Sequence, residues 1–366
     1  MNILAIESSC DETSAAILKD QTLLSNVVVS QIDLFKTYGG VIPEVAARSH
    51  LEAILPVIDQ AFQDAGLKTH NHQNDWSAID FIAVTHTPGL LGSLMVGTLT
   101  ARTLAILHHK PLYAIHHLKS HIYSNWLNGV SPSFPLLALV ISGGHTQIIH
   151  MKSHNHFNII GTTLDDAVGE CFDKIAKILG LPYPGGPSIA KAAQKGNPAK
   201  YSFPHPKVNG LNFSFSGLKT AVLRQTQKIA GVDINYPSHE LKNLLTPTQV
   251  HDIAASFQQT AIDILLEKLT LAYEQYPNTK SLVFAGGVSA NDSLRASLKV
   301  AKPNQTKSSS AKNHALSKLS TIFFPNKRFS GDNAAMVAMA AYYEILSGTP
   351  PTDPYTLDIL PRSNIF

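Results

Sequence analysis

The histidine pair His117 and His121 has the clearest chemistry in this sequence. Residues four apart share one face of a helix, so both imidazoles can bind one metal ion. Zinc proteases use this spacing with a glutamate directly after the first histidine as general base, whereas Leu118 stands here. Asp332 is the candidate third ligand, because a helix is predicted to begin just after it. With 17 histidines in the chain, two ordinary surface histidines remain the alternative.

Two short segments rich in small polar residues predict a phosphate-binding site. Each lies between two apolar strands, which is the pattern of a β-hairpin with a polar tip. Glycine allows close approach of the backbone, and successive N–H groups bind anions. A Gly-Gly turn taken alone is more often only a turn. The candidate groups lie in Ser8, Ser9, Thr13 and Ser14 of the first tip, and in Ser142, Gly143, Gly144 and Thr146 of the second.

Acidic residues occur beside these candidate phosphate sites. Asp11 and Glu12 in the first tip would repel bare phosphate, so we interpret them as acting through a metal ion or a water molecule. Asp166, Glu170 and Asp173 follow at positions i, i+4 and i+7, which predicts that they line one face of a helix. The alternative for these three is a helix start that is merely rich in acids.

Glycine and amide groups in the second half offer further binding positions. The segment LPYPGGP predicts a rigid turn that presents the backbone of Gly185 and Gly186 to a ligand. In AGGVSAN, the amide of Asn291 can read the edge of a base or ribose, although it can equally cap a helix.

These residues lie on elements that occur once in each half of the chain. Residues 2–18 and 136–151 each read as a hairpin, and residues 80–97 and 281–298 each read as strand, turn and helix start. The repetition predicts a duplicated α/β architecture, although such units also recur by chance in α/β proteins. Helix starts are predicted at Pro43 and at Thr246-Pro247, and loops at 70–75 and 302–317.

Length and composition indicate a globular protein of two or three domains. The chain has 366 residues, of which 44% are hydrophobic and 15% charged, and no apolar run approaches the length of a membrane span. The N-terminus lacks the basic region of a signal peptide, and two cysteines form no disulfide framework, so a reducing compartment is expected. Residues 174–232 contain nine Lys/Arg and no acid, which indicates a polyanion partner or only a solvated surface.

Nine motifs in their order identify a family. The chain resembles the tRNA adenosine threonylcarbamoyltransferase family (TsaD, formerly called O-sialoglycoprotein endopeptidase) over about residues 2–341. The resemblance rests on ESSCDETS, YGGVIPEVAARSH, TPGLLGSLMVG, HHLKSH, ISGGHT, GECFDKIAKILGLPYPGGP, FSFSGLK, AGGVSAN and GDNAAM.

The resemblance implies the duplicated α/β actin-like ATPase (ASKHA) fold, with two lobes and a nucleotide cleft between them. The expected limits are an N-terminal lobe at 1–133, a C-terminal lobe at 134–325, and a segment at 326–366 that packs back on the N-terminal lobe. A cytoplasmic location is expected.

The resemblance also assigns residues. Asp11 and Glu12 match the acids of the first hairpin and are the candidate catalytic residues. The metal ligands would be His117, His121 and Asp332, holding one divalent ion, with ferrous iron the usual assignment and zinc or magnesium the alternatives. The substrate-binding positions would be Val140, Ile141, Ser142, Gly143, Gly144, Asp173, Gly186 and Asn291.

The implied reaction moves a threonylcarbamoyl group from threonylcarbamoyl-AMP to the exocyclic amine of the adenosine 3′ to the anticodon, in tRNAs that read codons beginning with A. The implied partners are tRNA and TsaB-like and TsaE-like proteins, and no association with a membrane is expected. The sequence departs from the family at Leu118-Lys119-Ser120, which places a cation between the metal histidines. The alternatives are an ATP hydrolase or kinase of the same fold, a metallo-endopeptidase, and a non-catalytic subunit, although the last would be expected to lose the metal ligands.

Overall fold

The computed structural model describes residues 1–299 and 321–362, so the predicted loop at 302–317 lies outside the described residues. The chain divides into two compact units. Unit 1 comprises Met1–Ser131, Ser153–Phe157 and Pro325–Phe366, and unit 2 comprises Pro132–Lys152 and Asn158–Phe324. The lobe limits expected from the sequence, at 1–133, 134–325 and 326–366, remain a prediction.

The described residues form strands and α-helices in both units. The strands are β1 (Asn2–Glu7), β2 (Glu12–Lys19), β3 (Thr22–Ser30), β4 (Phe81–Thr87), β5 (Leu112–His116), β6 (Leu136–Ile141), β7 (Thr146–Ser153), β8 (His156–Thr162), β9 (Ser281–Ala285) and β10 (Ile322–Phe323). The helices are α1 (Ile32–Lys36), α2 (Pro43–Asp64), α3 (Leu91–Leu107), α4 (His117–Tyr123), α5 (Val168–Ile178), α6 (Gly185–Ala193), α7 (Ser216–Ala230), α8 (Pro247–Gln275), α9 (Asp292–Lys299) and α10 (Ala334–Leu346).

Unit 1 is built on a five-stranded sheet with the order β3-β2-β1-β4-β5. The β1–β2 hairpin is antiparallel, and β1, β4 and β5 run parallel to one another. Both hairpin strands are buried almost throughout, and the middle of each strand is apolar. Apolar side chains of α2 and α3 join the sheet in one core, whereas α10 packs against β1, β2 and α4. Helix α4 bears His117 and His121, and α10 follows Asp332. This sheet therefore supports all three candidate metal ligands.

An ion pair and an aromatic cluster hold α4 against α10. Lys119 Nζ lies 2.6 Å from Glu344 Oε1, and both side chains are largely buried. The ring of Tyr123 lies 5.4 Å from that of Tyr343, and His154 stacks on Tyr343 at 3.9 Å. Breaking a buried ion pair by removing one partner typically costs about 3–5 kcal/mol of folding free energy. The lysine that departs from the family pattern thus joins two helices in unit 1.

Unit 2 contains a second five-stranded sheet with the order β10-β9-β6-β7-β8. Its β6–β7 hairpin is antiparallel, and β6 and β9 are parallel. Helices α5, α6 and α8 pack in its core. Helix α8 begins with a capping box in which Thr246 and Gln249 exchange hydrogen bonds, and Pro247 follows at the first turn. This confirms the helix start predicted at Thr246-Pro247.

The duplicated pattern predicted from the sequence is confirmed. Unit 1 contains the β1–β2 hairpin and the β4–α3 connection, and unit 2 repeats both as β6–β7 and β9–α9. Pro43 begins α2 as expected. One prediction is wrong: α5 begins at Val168, so Asp166 precedes the helix and cannot line its face with Glu170 and Asp173. Within the described ranges, no helix is both long and apolar enough to cross a membrane.

Candidate metal centre

Helix α4 places both candidate histidines on one face. It begins directly after β5, so His117 is fixed at the end of a buried strand and His121 lies one turn further. The two ring centroids are 4.6 Å apart. Both residues are buried, and His121 is fully so. The alternative of two ordinary surface histidines is therefore wrong.

The loop before α10 brings Asp332 to the two rings. Asn333 caps α10 by accepting a hydrogen bond from the Met336 N–H, and the Ala334 N–H donates to Ser14 Oγ on β2 at 2.9 Å. These contacts fix the loop against the sheet. The ligand atoms of His117, His121 and Asp332 all lie within 4.8 Å of one another.

The three residues could hold one metal ion. Asp332 Oδ1 lies 3.1 Å from His121 Nε2 and 3.5 Å from His117 Nε2. Neither ring nitrogen of the fully buried His121 has a hydrogen-bond partner among the described residues. Leaving a buried polar atom without a partner typically costs about 1–3 kcal/mol. A metal ion bound at Nε2 would satisfy one of these atoms, so the group fits a metal.

Glu7 at the end of β1 orients His117. The carboxylate is fully buried, and its Oε2 lies 3.3 Å from His117 Nδ1 and accepts a hydrogen bond from Thr85 Oγ1 at 2.6 Å. Its Oε1 accepts from the Ser9 N–H at 2.6 Å, and Ser9 Oγ lies 3.1 Å from His117 Nδ1. A carboxylate beside Nδ1 favours the tautomer with the proton on that atom. In the neutral ring, Nε2 of His117 is then the atom that can bind a metal ion.

Electrostatic coupling accompanies this arrangement. Burial acts to lower the pKa of His117, but the carboxylates of Asp332 and Glu7 outweigh it and raise that pKa to about 9. Burial acts to raise the pKa of Glu7, yet the charge and hydrogen bond of His117 lower it overall. Without a metal ion, His117 is therefore protonated on both ring nitrogens at neutral pH. A metal ion must displace that proton in order to bind.

The candidate catalytic acids lie at the tip of the β1–β2 hairpin. Burial raises the pKa of Asp11, and the charge of Asp332 adds to the effect. Burial also raises the pKa of Glu12 well above its ordinary value, with further contributions from Asp332 and Asp11. Ser30 Oγ donates a hydrogen bond to Glu12 at 3.2 Å. Both acids thus lie within electrostatic range of the metal group, and their catalytic role remains a prediction.

Two hydroxyl groups of the first hairpin have structural partners. Ser8 Oγ donates to the Ser93 carbonyl and accepts from the Gly97 N–H, both on α3. Ser14 Oγ accepts from the Ala334 N–H and is fully buried. The expectation that these hydroxyls bind phosphate is therefore wrong, because the fold itself uses them.

The second hairpin tip is open at its glycines. Gly143 and Gly144 are exposed, and a Cβ added at either would meet no atom within 4 Å. Ser142 Oγ accepts from the His145 N–H at 3.2 Å, which tightens the turn. The preceding residues Val140 and Ile141 are buried in β6. The tip has room for a ligand at its backbone, and its binding role remains a prediction.

The other substrate-binding candidates also lie in unit 2. Asp173 Oδ1 accepts from the Gly185 N–H at 2.6 Å, and Gly186 has open space where a Cβ would stand. Asn291 caps α9 by accepting from the Leu294 N–H, and its amide donates to Gln258 at 2.8 Å. The helix-cap alternative considered for Asn291 is correct, while its role toward a substrate remains a prediction.

Sequence reasoning missed Glu7 and His50. Glu7 belongs to the motif ESSCDETS, in which only the hydroxyls and the acids Asp11 and Glu12 were interpreted. His50 lies in YGGVIPEVAARSH, where only the helix start was interpreted. A charged residue inside an otherwise apolar strand was the available signal for Glu7, because such residues are buried only with partners.

Comparisons with known proteins show which sequences this chain resembles. The sequence model of the TsaD family, described as tRNA N6-adenosine threonylcarbamoyltransferase, matches residues 22–339. Proteins with that name from Gloeothece citriformis and Moorella thermoacetica are 45% and 43% identical to this chain. The alignments cover 93% and 94% of this chain and 90% and 92% of those proteins.

A solved structure shows the fold. The crystal structure of HypF from T. kodakarensis matches with a TM-score of 0.58 and 13% identity, over 95% of this chain and 48% of that chain. HypF has the actin-like ATPase fold, so the fold class expected from the sequence is confirmed.

Glu7→Gln is expected to weaken metal binding by about 10- to 100-fold, because loss of an outer carboxylate removes the group that orients a ligating histidine. The measurement is a competition titration of Co²⁺ or Zn²⁺ against a chelating dye. Glu52→Gln makes the same change at an exposed position of α2 and should leave the affinity unchanged. Equal affinity of a folded Glu7→Gln protein and the wild type would show that Glu7 does not support the site.

Proposed function

The chain belongs to the tRNA N6-adenosine threonylcarbamoyltransferase family, and on that premise we propose how its residues carry out the transfer. It transfers the threonylcarbamoyl group to tRNA, with threonylcarbamoyl-AMP as donor and the adenosine 3′ to the anticodon as acceptor. The tRNAs are those that read codons beginning with A. The comparisons do not favour an ATP hydrolase, a kinase or an endopeptidase.

The observation that carries this proposal is the group of two buried histidines and one half-buried aspartate. Its residues come from α4 and from the loop before α10, which are far apart in sequence and are brought within 4.8 Å. A hydrolase or kinase of the same fold has no need for a His-x3-His pair on a helix. The group also lacks a glutamate after His117, which a zinc protease would use as its base.

The reaction is acyl transfer from a mixed anhydride. The exocyclic nitrogen of adenosine attacks the carbamoyl carbon, the bond from that carbon to the phosphate oxygen breaks, and AMP leaves. The nitrogen loses one proton in forming the new bond. We assign its acceptance to Asp11 or Glu12 through a water molecule, since their raised pKa values suit a general base. Most of the remaining rate enhancement comes from positioning.

His117, His121 and Asp332 would hold the metal ion. Two imidazoles and one carboxylate with open positions are the ligand set of ferrous iron in many enzymes, so we propose ferrous iron, with zinc or magnesium as the outcomes that would correct it. When bound, the ion would supply Lewis-acid stabilisation of negative charge on the substrate.

Backbone groups of unit 2 would hold the nucleotide part of the donor. The exposed tip from Ser142 to Gly144 offers N–H groups, and its glycines leave space for a phosphate. Val140 and Ile141 fix the strand that carries the tip, and Asp173 fixes the start of α6, where Gly186 is open. Asn291 would help to hold the donor through the backbone of its turn, whose geometry is fixed by the helix cap that its side chain forms.

The test uses purified protein, threonylcarbamoyl-AMP and two tRNA transcripts that differ in whether they read codons beginning with A. Mass spectrometry of the nucleosides should show threonylcarbamoyladenosine only in the cognate transcript. Asp11→Asn should lower the single-turnover rate about 100-fold, in the range of general-base catalysis, while donor affinity changes little. His121→Ala should abolish both transfer and metal binding.

Glu44→Gln, an exposed change at the start of α2, is the matched control and should transfer at the wild-type rate. Transfer at the wild-type rate by metal-free His121→Ala would contradict the proposed role of the metal group. An unchanged rate for Asp11→Asn and for Glu12→Gln would remove the acids from the mechanism.

We propose a docking surface for a TsaB-like partner on α2 and α3. These helices contact each other, and large apolar side chains stand exposed along both. Exposed apolar patches of this kind mark interaction sites. The side chains and their exposed fractions are Leu51 65%, Leu55 63%, Leu91 53%, Met95 42% and Leu99 45%. A TsaE-like partner and a cytoplasmic location remain predictions from the sequence resemblance.

The double variant Leu51→Glu, Leu55→Glu is expected to abolish co-elution with the TsaB-like protein of the same organism in size-exclusion chromatography. Two charges in an apolar interface are strongly unfavourable because they lose their hydration. Ile234→Glu places a charge at an equally exposed apolar residue of unit 2 and should leave co-elution intact. Retained co-elution of the double variant would refute this surface.

A further inference from the structure

His50 on α2 is a fully buried histidine outside the metal group. Its ring contacts both sides of the tip of the β1–β2 hairpin. Nε2 lies 3.0 Å from the Cys10 carbonyl oxygen, and Nδ1 lies 2.7 Å from Thr13 Oγ1. These two residues directly flank Asp11 and Glu12. The imidazole therefore bridges the tip that carries the candidate proton acceptors.

The partners determine the tautomer of His50. A carbonyl oxygen only accepts hydrogen bonds, so Nε2 carries the proton and donates it to Cys10. Nδ1 is then an acceptor, and the Thr13 hydroxyl donates to it. Gln31 Nε2 also faces Nδ1, at 3.4 Å. Burial lowers the pKa of His50, which agrees with a neutral ring in this position.

Further hydrogen bonds attach the tip to its surroundings. The Gln31 N–H donates to the Asp11 carbonyl at 3.1 Å, and Ser93 Oγ donates to the Cys10 carbonyl at 3.0 Å. Each of these contacts reaches one point of the tip. Of the groups named, the ring of His50 alone joins the residue before Asp11 to the residue after Glu12.

The tip carries the two candidate acids side by side. The charge of Asp332 contributes to the raised pKa of both Asp11 and Glu12, so the two acids lie within electrostatic range of the metal group. The position of the tip therefore sets the distance from these acids to the metal group. A displacement of about 1 Å at reacting groups can cost about 100-fold in rate.

We propose that His50 is a positioning residue for the transfer reaction, which keeps Asp11 and Glu12 beside the metal group by binding both sides of the hairpin tip. The inference rests on the proposed function, in which these carboxylates accept the proton of the attacking amine. His50 itself touches neither the substrate nor the metal ligands in this account.

Four variants of the full chain test this role. His50→Leu removes both ring contacts, whereas His50→Gln can keep a donor toward Cys10. Thr13→Val removes the hydroxyl that meets Nδ1 without altering His50, and Thr13→Ser restores a hydroxyl. The readouts are the single-turnover rate with saturating threonylcarbamoyl-AMP and tRNA, the KM for tRNA, and the Co²⁺ bound per chain.

His50→Leu should lower the saturated rate by about 10- to 100-fold, as expected when a reacting group is displaced, with tRNA KM and Co²⁺ content unchanged. Thr13→Val should lower it about tenfold, and Thr13→Ser should recover most of the loss. Thr22→Val, at the exposed start of β3, is the matched control and should react at the wild-type rate. If His50→Leu fails to fold, the threonine pair decides the question.

A wild-type rate in folded His50→Leu or Thr13→Val would overturn the inference. Loss of Co²⁺ along with activity would also overturn it, because His50 would then support the metal group and not the acids. If Asp11→Asn and Glu12→Gln are themselves fully active, the proposed function of the acids fails. That outcome is distinguishable from a failure of His50 alone.

Discussion

Burial of two imidazoles beside a carboxylate is the constraint on which the rest of unit 1 depends. His121 is fully buried without a hydrogen-bond partner at either ring nitrogen among the described residues. Such an arrangement is costly in a folded protein unless a ligand offsets the cost. The surrounding structure nevertheless fixes it firmly, with α4 joined to β5 and α10 capped by Asn333. The fold therefore maintains a group of three side chains that could hold one metal ion.

The first hairpin connects this group to the chemistry. Its residues divide into three roles, since Ser8 and Ser14 hold the fold, Glu7 and Ser9 orient His117, and Asp11 and Glu12 form the acidic tip. One strand-turn-strand segment thus determines both the tautomer of a candidate metal ligand and the position of the candidate bases. Substitutions in this segment can therefore address the candidate metal ligand and the candidate bases separately, depending on which residue is altered.

Much of the fold and part of the site could be predicted from the sequence. The repeated hairpins and the helix starts at Pro43 and Thr246-Pro247 follow from local patterns. The spacing of His117 and His121 predicts a pair on one helix face, and the family resemblance implies Asp332 as the third member of the group. The partners of buried polar residues could not be predicted, because they depend on tertiary packing. Glu7 accepts a hydrogen bond from Thr85, a residue 78 positions away, and no feature of either segment predicts the contact.

Crystals of the full chain loaded with ferrous iron, measured at the iron absorption edge, test the central claim most directly. The account predicts one anomalous peak per chain, about 2.0–2.2 Å from one imidazole nitrogen of each of His117 and His121 and from an oxygen of Asp332. A peak elsewhere with these three residues unliganded, or no peak in protein that still transfers the threonylcarbamoyl group, would contradict it.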